Sequence, residues 1–201
     1  MWTPVKEDVE YASVLADGNF HVAVPEGTEG AKIRKYKTSD GTEGTKTELV
    51  FSELIGKITK VNFRDGDYGR QLQITVVDGD NKPVILSIST SSNYGEDMMK
   101  KLLNVDLEKP VKIVPYSFVD EKKKNKKGIT IWQGEQKLKN YFYDEEKKEI
   151  INGYPEPKKL KKPLSKDQWK LYFAEAREFL VEEVSKKFGV KDAAFDGFEG
   201  E

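Results

Sequence analysis

Two sets of side chains in this sequence have the means to do chemistry: carboxylates spaced in pairs, and flat rings interleaved with cations. The pairs Asp65/Asp67 and Asp78/Asp80 each flank a glycine. Aspartate in such a setting accepts nearby backbone N–H groups and makes turns. As calcium loops both lack the glycine at the sixth position and the closing glutamate. A two-metal nuclease built on Asp65 and Asp67 stays open as a further possibility. Other catalysis has little to build on. The chain has one histidine, His21, and no cysteine, which removes disulfides, thiolate nucleophiles and most zinc chemistry. The expectation is a protein that is not an enzyme and needs neither metal nor cofactor.

The rings and cations point elsewhere. Holding a single nucleic-acid strand without reading its sequence takes cations along the backbone and flat rings under the bases. The stretch "FRDGDYGRQ" (63–71) offers Arg64, Tyr68 and Arg70, and Gln73 continues onto the polar side of the following strand. Tyr94 follows the next strand. Lys122, Lys123, Lys124, Lys126 and Lys127 crowd into "EKKKNKKG", read as a hairpin loop. Trp132 alternates with Ile129 and Ile131 and so points away from them. Phe63, Tyr116, Phe118 and Trp132 equally suit a core, and a lysine loop equally suits a solvated tip.

These residues need elements to position them. "NFHVAVPEGTEGAKIRKYK" reads as two short strands around a Pro-Glu-Gly turn. "GTEGAK" (27–32) is echoed by "GTEGTK" (41–46); two glycine turns fit, and the phosphate-loop spacing does not. "TELVFSELIGKITKVNF" (47–63) reads as one long strand, with Gly56 marking a bulge or bend. "RQLQITVVD" and "PVILSIST" alternate with period two around an Asp-Gly-Asp-Asn turn. A helix over 93–105 follows, then strands over 109–120 and 128–136. The order β-β-β-α-β-β, with a long bent first strand, predicts a mainly β chain built on a five-stranded Greek-key OB-fold barrel.

The expected organisation runs from an N-terminal β extension (1–46) to the barrel (47–143). A Pro/Lys-rich connection (144–163), an amphipathic helix (164–189) and an acidic flexible tail (190–201) complete it. The helix carries a Ser165/Gln168 capping box, a stripe from Trp169 through Tyr172, Phe173, Ala176, Leu180 and Val184 to Phe188, and a closing Gly189. That stripe should pack on the barrel or pair with another copy of the chain. The tail, "DAAFDGFEGE", holds Phe195, Asp196, Phe198 and Glu199.

Net charge is −1, but its distribution is uneven. Asp120 to Lys166 holds 14 lysines against 8 acids, and Ala174 to Glu201 holds 4 bases against 8 acids. No signal pattern or bilayer-length apolar run occurs, so a cytoplasmic protein with no membrane partner is expected. The runs "ELVFSELIGKITKVNFRDGDYGRQLQITVVDGDNKPVILSIST", "LLNVDLEKPVKIVPYSFVD" and "GITIWQGEQKLKNYF" resemble phage-encoded single-stranded DNA-binding proteins with an OB-fold. The resemblance implies sequence-independent binding and protection of single-stranded DNA in replication, recombination or repair. It also implies an acidic tail that recruits replication or recombination proteins. Members of that group often end on an aromatic residue, whereas this chain ends Gly200-Glu201. The alternative is an OB-fold interaction module of a phage or replication assembly that never touches DNA.

Overall fold

The computed structural model describes residues 9–38, 40–67, 69–157 and 163–190. Among these residues twelve strands and two helices follow in chain order. They are β1 (Glu10–Val14), β2 (Phe20–Ala23), β3 (Lys32–Lys37), β4 (Glu43–Phe51), β5 (Leu54–Arg64), β6 (Gln71–Val77) and β7 (Pro83–Ser89). After helix α1 (Asn93–Leu102) come β8 (Val111–Val119), β9 (Asn125–Gln133), β10 (Gln136–Lys137), β11 (Tyr143–Asp144) and β12 (Glu149–Ile150), then helix α2 (Lys166–Phe188).

The expected run of strand, helix and strand is present from β5 to β9, but it does not close into a five-stranded barrel. Ten strands form one mixed, open sheet in the order β10-β9-β8-β5-β6-β7-β1-β2-β4-β3. Closure would require β7 to pair with β9, and both edges are already occupied. Along β7 runs β1, parallel, with Glu10 to Ser13 opposite Val84 to Ser87. The edge of β9 is served by α1 and the chain after β10. Asp97 accepts the Ile129 N–H at 2.7 Å, Lys101 Nζ donates to the Ile129 carbonyl, and Leu138 N–H reaches the Ile131 carbonyl at 2.8 Å. Edge groups satisfied in this way offer nothing for a further strand to pair with.

Strands β1, β2 and β3 and the start of β4 are therefore part of the sheet and not an extension to it. The hairpin expected across Pro25 to Gly27 does not form. Strands β2 and β3 both pair with β4 instead of with each other. The long strand expected over 47–63 divides at Ser52 and Glu53 into β4 and β5. Strand β5 then bends as Gly56 suggests. Leu54 to Gly56 pair with β8, Lys57 to Arg64 pair with β6, and the register shifts between Ile58 and Lys60. A Cβ on Gly56 would collide with the Val77 carbonyl, so the bend needs glycine here.

Side-chain parity gives the sheet one apolar and one polar side. Inward point Ala12, Phe20, Val22, Ile58, Val61, Leu72, Ile74, Leu86, Ile88, Val111, Ile113, Ile129 and Ile131, all buried. Helix α1 adds Met98, Met99 and Leu102 to that core, and α2 adds Leu180, Val181 and Val184. Capping is as the residues suggest. The Ser165/Gln168 box is formed, and Gly189 closes α2 in the left-handed conformation at φ 63°. Lys187 does not serve its own helix; its Nζ donates to the carbonyls of Leu102, Leu103 and Val105 at the end of α1. Among the described residues, no helix is long and apolar enough to cross a membrane.

Candidate nucleic-acid interface

The residues singled out from the sequence fall on the outer side of the sheet, at two separate places, with exceptions. Arg64 is exposed at the end of β5 and makes no ion pair among the described residues. Its cross-strand partner is Gln71, and Gln73 lies opposite Asn62 and Ser87. Arg70 is committed elsewhere. It binds Asp65 at 3.1 Å and Glu178 of α2 at 3.0 Å. Burial opposes its charge, but the Asp65 hydrogen bond and the field of Glu178 outweigh that and raise its pKa. Asp65 is thus drawn to an arginine. Among the described residues, no cluster of three or more acidic, His or Cys side chains could hold a metal ion.

Tyr94 is corrected outright. It sits in the first turn of α1 at 5 % exposure, because the helix turns that residue onto the core. A buried ring cannot stack on a base. Tyr68 and the tail residues Phe195, Asp196, Phe198 and Glu199 lie outside the described residues.

The lysine loop is tighter than its composition suggests. β9 begins at Asn125, so only Lys122 to Lys124 belong to the turn, and Lys126 and Lys127 are strand residues. Asp120 organises the turn, its carboxylate accepting the N–H groups of Lys122 at 2.9 Å and Lys124 at 2.8 Å. Lys123 takes the left-handed conformation at φ 58°. Asp120 N–H donates to the Lys124 carbonyl at 2.9 Å, which makes Glu121, Lys122 and Lys123 a three-residue hairpin loop with a left-handed third position. Strand alternation then sends Lys126 to the outer side beside Phe118, while Lys127 opposes Ser117 on the other side.

On the outer side of β8, β9 and β10, rings and cations interleave. Trp132 stands opposite Lys112 on β8 and Lys137 on β10, flanked by a cation on each side. Four residues back along β9, Tyr116 covers Gly128, where any Cβ would clash with its phenol oxygen. Next to it Phe118 is 55 % exposed, 5.8 Å centroid to centroid from Tyr116 and opposite Lys126. A groove of about 610 Å³ runs here, lined by Tyr116, Phe118, Thr130 and the cations Lys101, Lys126 and Lys137, with Asp120 on its wall 3.9 Å from Lys126. A second of about 570 Å³ runs on the other side of Phe118, beside Lys122 and Lys124 and also Asp120 and Glu121. Burial, with Asp97 nearby, raises the Tyr116 pKa and keeps the phenol neutral. Lys112, Lys122, Lys124 and Lys137 make no ion pair among the described residues.

Sequence reasoning missed part of this surface. By residue type alone Tyr116 and Phe118 suit a core as well as a surface, and Lys112 and Lys137 drew no notice. The signal was the alternation of β8: Val111, Ile113 and Pro115 are buried, so Lys112, Val114, Tyr116 and Phe118 must face the other way.

The only histidine is engaged within its own cluster of charges. His21 Nδ1 lies 2.9 Å from Glu48 and Nε2 3.1 Å from Asp17. Arg34 clamps the same Glu48 through two hydrogen bonds of 2.7 Å. The cluster fastens β2, β3 and β4 together. No protein-family model, curated protein or solved structure matches this chain.

Proposed function

We propose that the chain binds single-stranded DNA without sequence preference, along the outer side of β8, β9 and β10. The observation that carries this reading is Phe118, half exposed on a strand, with Tyr116 beside it and lysines on adjoining strands. An exposed ring beside Lys122 and Lys124, which make no ion pair among the described residues, and opposite Lys126, 3.9 Å from Asp120, meets both needs of a single strand, stacking and charge neutralisation. The reading rests on this surface and not on a barrel, and it agrees with the resemblance to phage-encoded single-stranded DNA-binding proteins. A role in protecting transient strands during replication, recombination or repair in a host cytoplasm follows from that resemblance. Recruitment of partner proteins by Phe195 and Phe198 belongs to the same proposal.

Fluorescence titration with oligo-dT at two salt concentrations tests it. Binding should weaken as salt rises, and Phe118→Ala and Trp132→Ala should each weaken it further with the fold intact. No binding at low salt removes the reading.

A second reading, a protein-interaction module, draws on α2. Its first turns leave Trp169, Leu171 and Phe173 exposed, with Trp169 and Phe173 stacked at 5.6 Å. Only the later stripe residues Ala176, Leu180 and Val184 are buried. Association through this patch would show as a mass above the monomer in sedimentation, lost in Trp169→Glu.

A further inference from the structure

The arrangement of Tyr116 over Gly128 occurs a second time, at the far end of the sheet. Tyr36 on β3 stands opposite Gly44 on β4. A Cβ on Gly44 would lie 2.6 Å from both Cζ and Oη of Tyr36, so the ring lies across the glycine and turns its other face outward. Lys46 Nζ stands 5.5 Å from the centroid of that ring. In both places a tyrosine covers its cross-strand glycine, and a lysine two residues from the glycine flanks it. In both places the ring is on the outer side of the sheet.

The repeated hexapeptide explains how the second arrangement is made. "GTEGAK" delivers Lys32 to the first position of β3, and "GTEGTK" delivers Gly44 and Lys46 to β4. Lys32 opposes Glu48 and Lys46 opposes Arg34. The two lysines are therefore diagonal neighbours on one side, about 7–8 Å apart at the backbone. Arg34 spends its charge on Glu48, whereas Lys32 makes no ion pair among the described residues. Between the two places the outer side carries Gln73, Ser87 and Ser13 in register across β6, β7 and β1, with Lys60 and Arg64 on β5 and the His21, Glu48 and Arg34 cluster on β2 to β4. Tyr11 on β1 is 56 % exposed there.

We infer that the β3–β4 ribbon is a second single-stranded DNA contact, in which Tyr36 stacks a base and Lys32 and Lys46 hold phosphates. The inference rests on the reading of the β8–β9 surface as the first contact. Eight inter-strand steps separate β9 from β3 in the sheet order, about 38 Å along the sheet at 4.8 Å each, and the bend that brings Gly18 against Tyr116 and Ser117 makes the direct path shorter. A single strand splayed onto rings extends further per nucleotide than the about 3.4 Å of a duplex strand, so fewer than about 11 nucleotides join the two contacts. An oligomer of about 3 nucleotides is too short to join them, and a long one occupies both.

The test uses the full chain with dT oligomers of about 3 and about 30 nucleotides, comparing wild type, Tyr36→Ala, Lys32→Glu/Lys46→Glu and Phe118→Ala. Melting curves first establish that each variant is folded; the lysine pair is exposed, so that variant keeps the test valid if Tyr36→Ala unfolds. The ribbon variants should weaken the long oligomer about fivefold to a hundredfold, the range of one lost base stack. They should leave short-oligomer binding to the β8–β9 surface within about twofold. Light-induced crosslinking to a bromouracil-substituted oligomer should label the peptide carrying Tyr36. Long-oligomer affinity unchanged in folded ribbon variants, while Phe118→Ala weakens it, overturns the ribbon alone. Affinity lost in the ribbon variants but unchanged in Phe118→Ala keeps the ribbon and overturns the β8–β9 reading. A wild type that binds neither oligomer overturns both.

Discussion

Phe118 keeps more than half its surface in water while its strand neighbours Ile113 and Pro115 are buried. Exposing a phenylalanine this way forgoes the burial of most of a large ring, so removing it should cost the fold little. Phe118→Ala is expected to shift the melting midpoint by no more than about 0.5 kcal/mol equivalent, as ordinary surface changes do. Single-strand affinity should fall at the same time. Glu48 is the opposite case, a carboxylate buried at 5 % exposure. Arg34's hydrogen bonds hold its pKa below the usual 4.5 and outweigh burial, which pulls the other way, with His21 adding to the lowering. A depressed carboxylate pKa contributes stability that is present above the unfolded value and is lost as pH falls through the folded one. Melting curves across pH 3 to 7 should therefore show wild type losing stability below about 4.5. In Glu48→Gln that acid loss should shrink, from a lower plateau at neutral pH, by about 1–3 kcal/mol for the broken charged pair.

Helix α1 decides where the sheet stops. Asp97 and Lys101, one turn apart, occupy the N–H and carbonyl of Ile129 as a neighbouring strand otherwise would. Asp97→Ala should cost about 1–3 kcal/mol in denaturant unfolding, since the Ile129 N–H loses its partner. Lys187→Ala should cost a similar amount by stranding three carbonyls at the end of α1. These contacts also mark the limit of what the sequence shows. Period-two alternation made β6 and β7 legible almost to the residue, and Gly56 announced the bend of β5. Local signals of that kind are written in neighbouring residues. Which strand lies beside β7 depends on Glu10 to Ser13 meeting Val84 to Ser87 across some seventy residues, and no local pattern records it. The site divides in the same way. Trp132 was placed on the outer side by its alternation with Ile129 and Ile131, whereas Tyr94 was misplaced because the rotation of α1 fixes its direction.

The whole molecule is an open sheet with its core on one side and a long polar side on the other. Net charge is close to zero, so the proposed attraction to DNA rests on local groups such as Lys112, Lys126 and Lys137. If these three each neutralise one phosphate, log affinity should fall against log salt with a slope of about −2 for a single strand. Charge reversal of Lys126 should reduce that slope by about 0.7. The most direct measurement is the affinity of the intact chain for a long oligo-dT at low and moderate salt, beside Phe118→Ala and Trp132→Ala. The account predicts salt-sensitive binding by wild type and a loss of about fivefold or more in each folded variant. Absence of binding at low salt, or variants that bind as tightly as wild type, would contradict it.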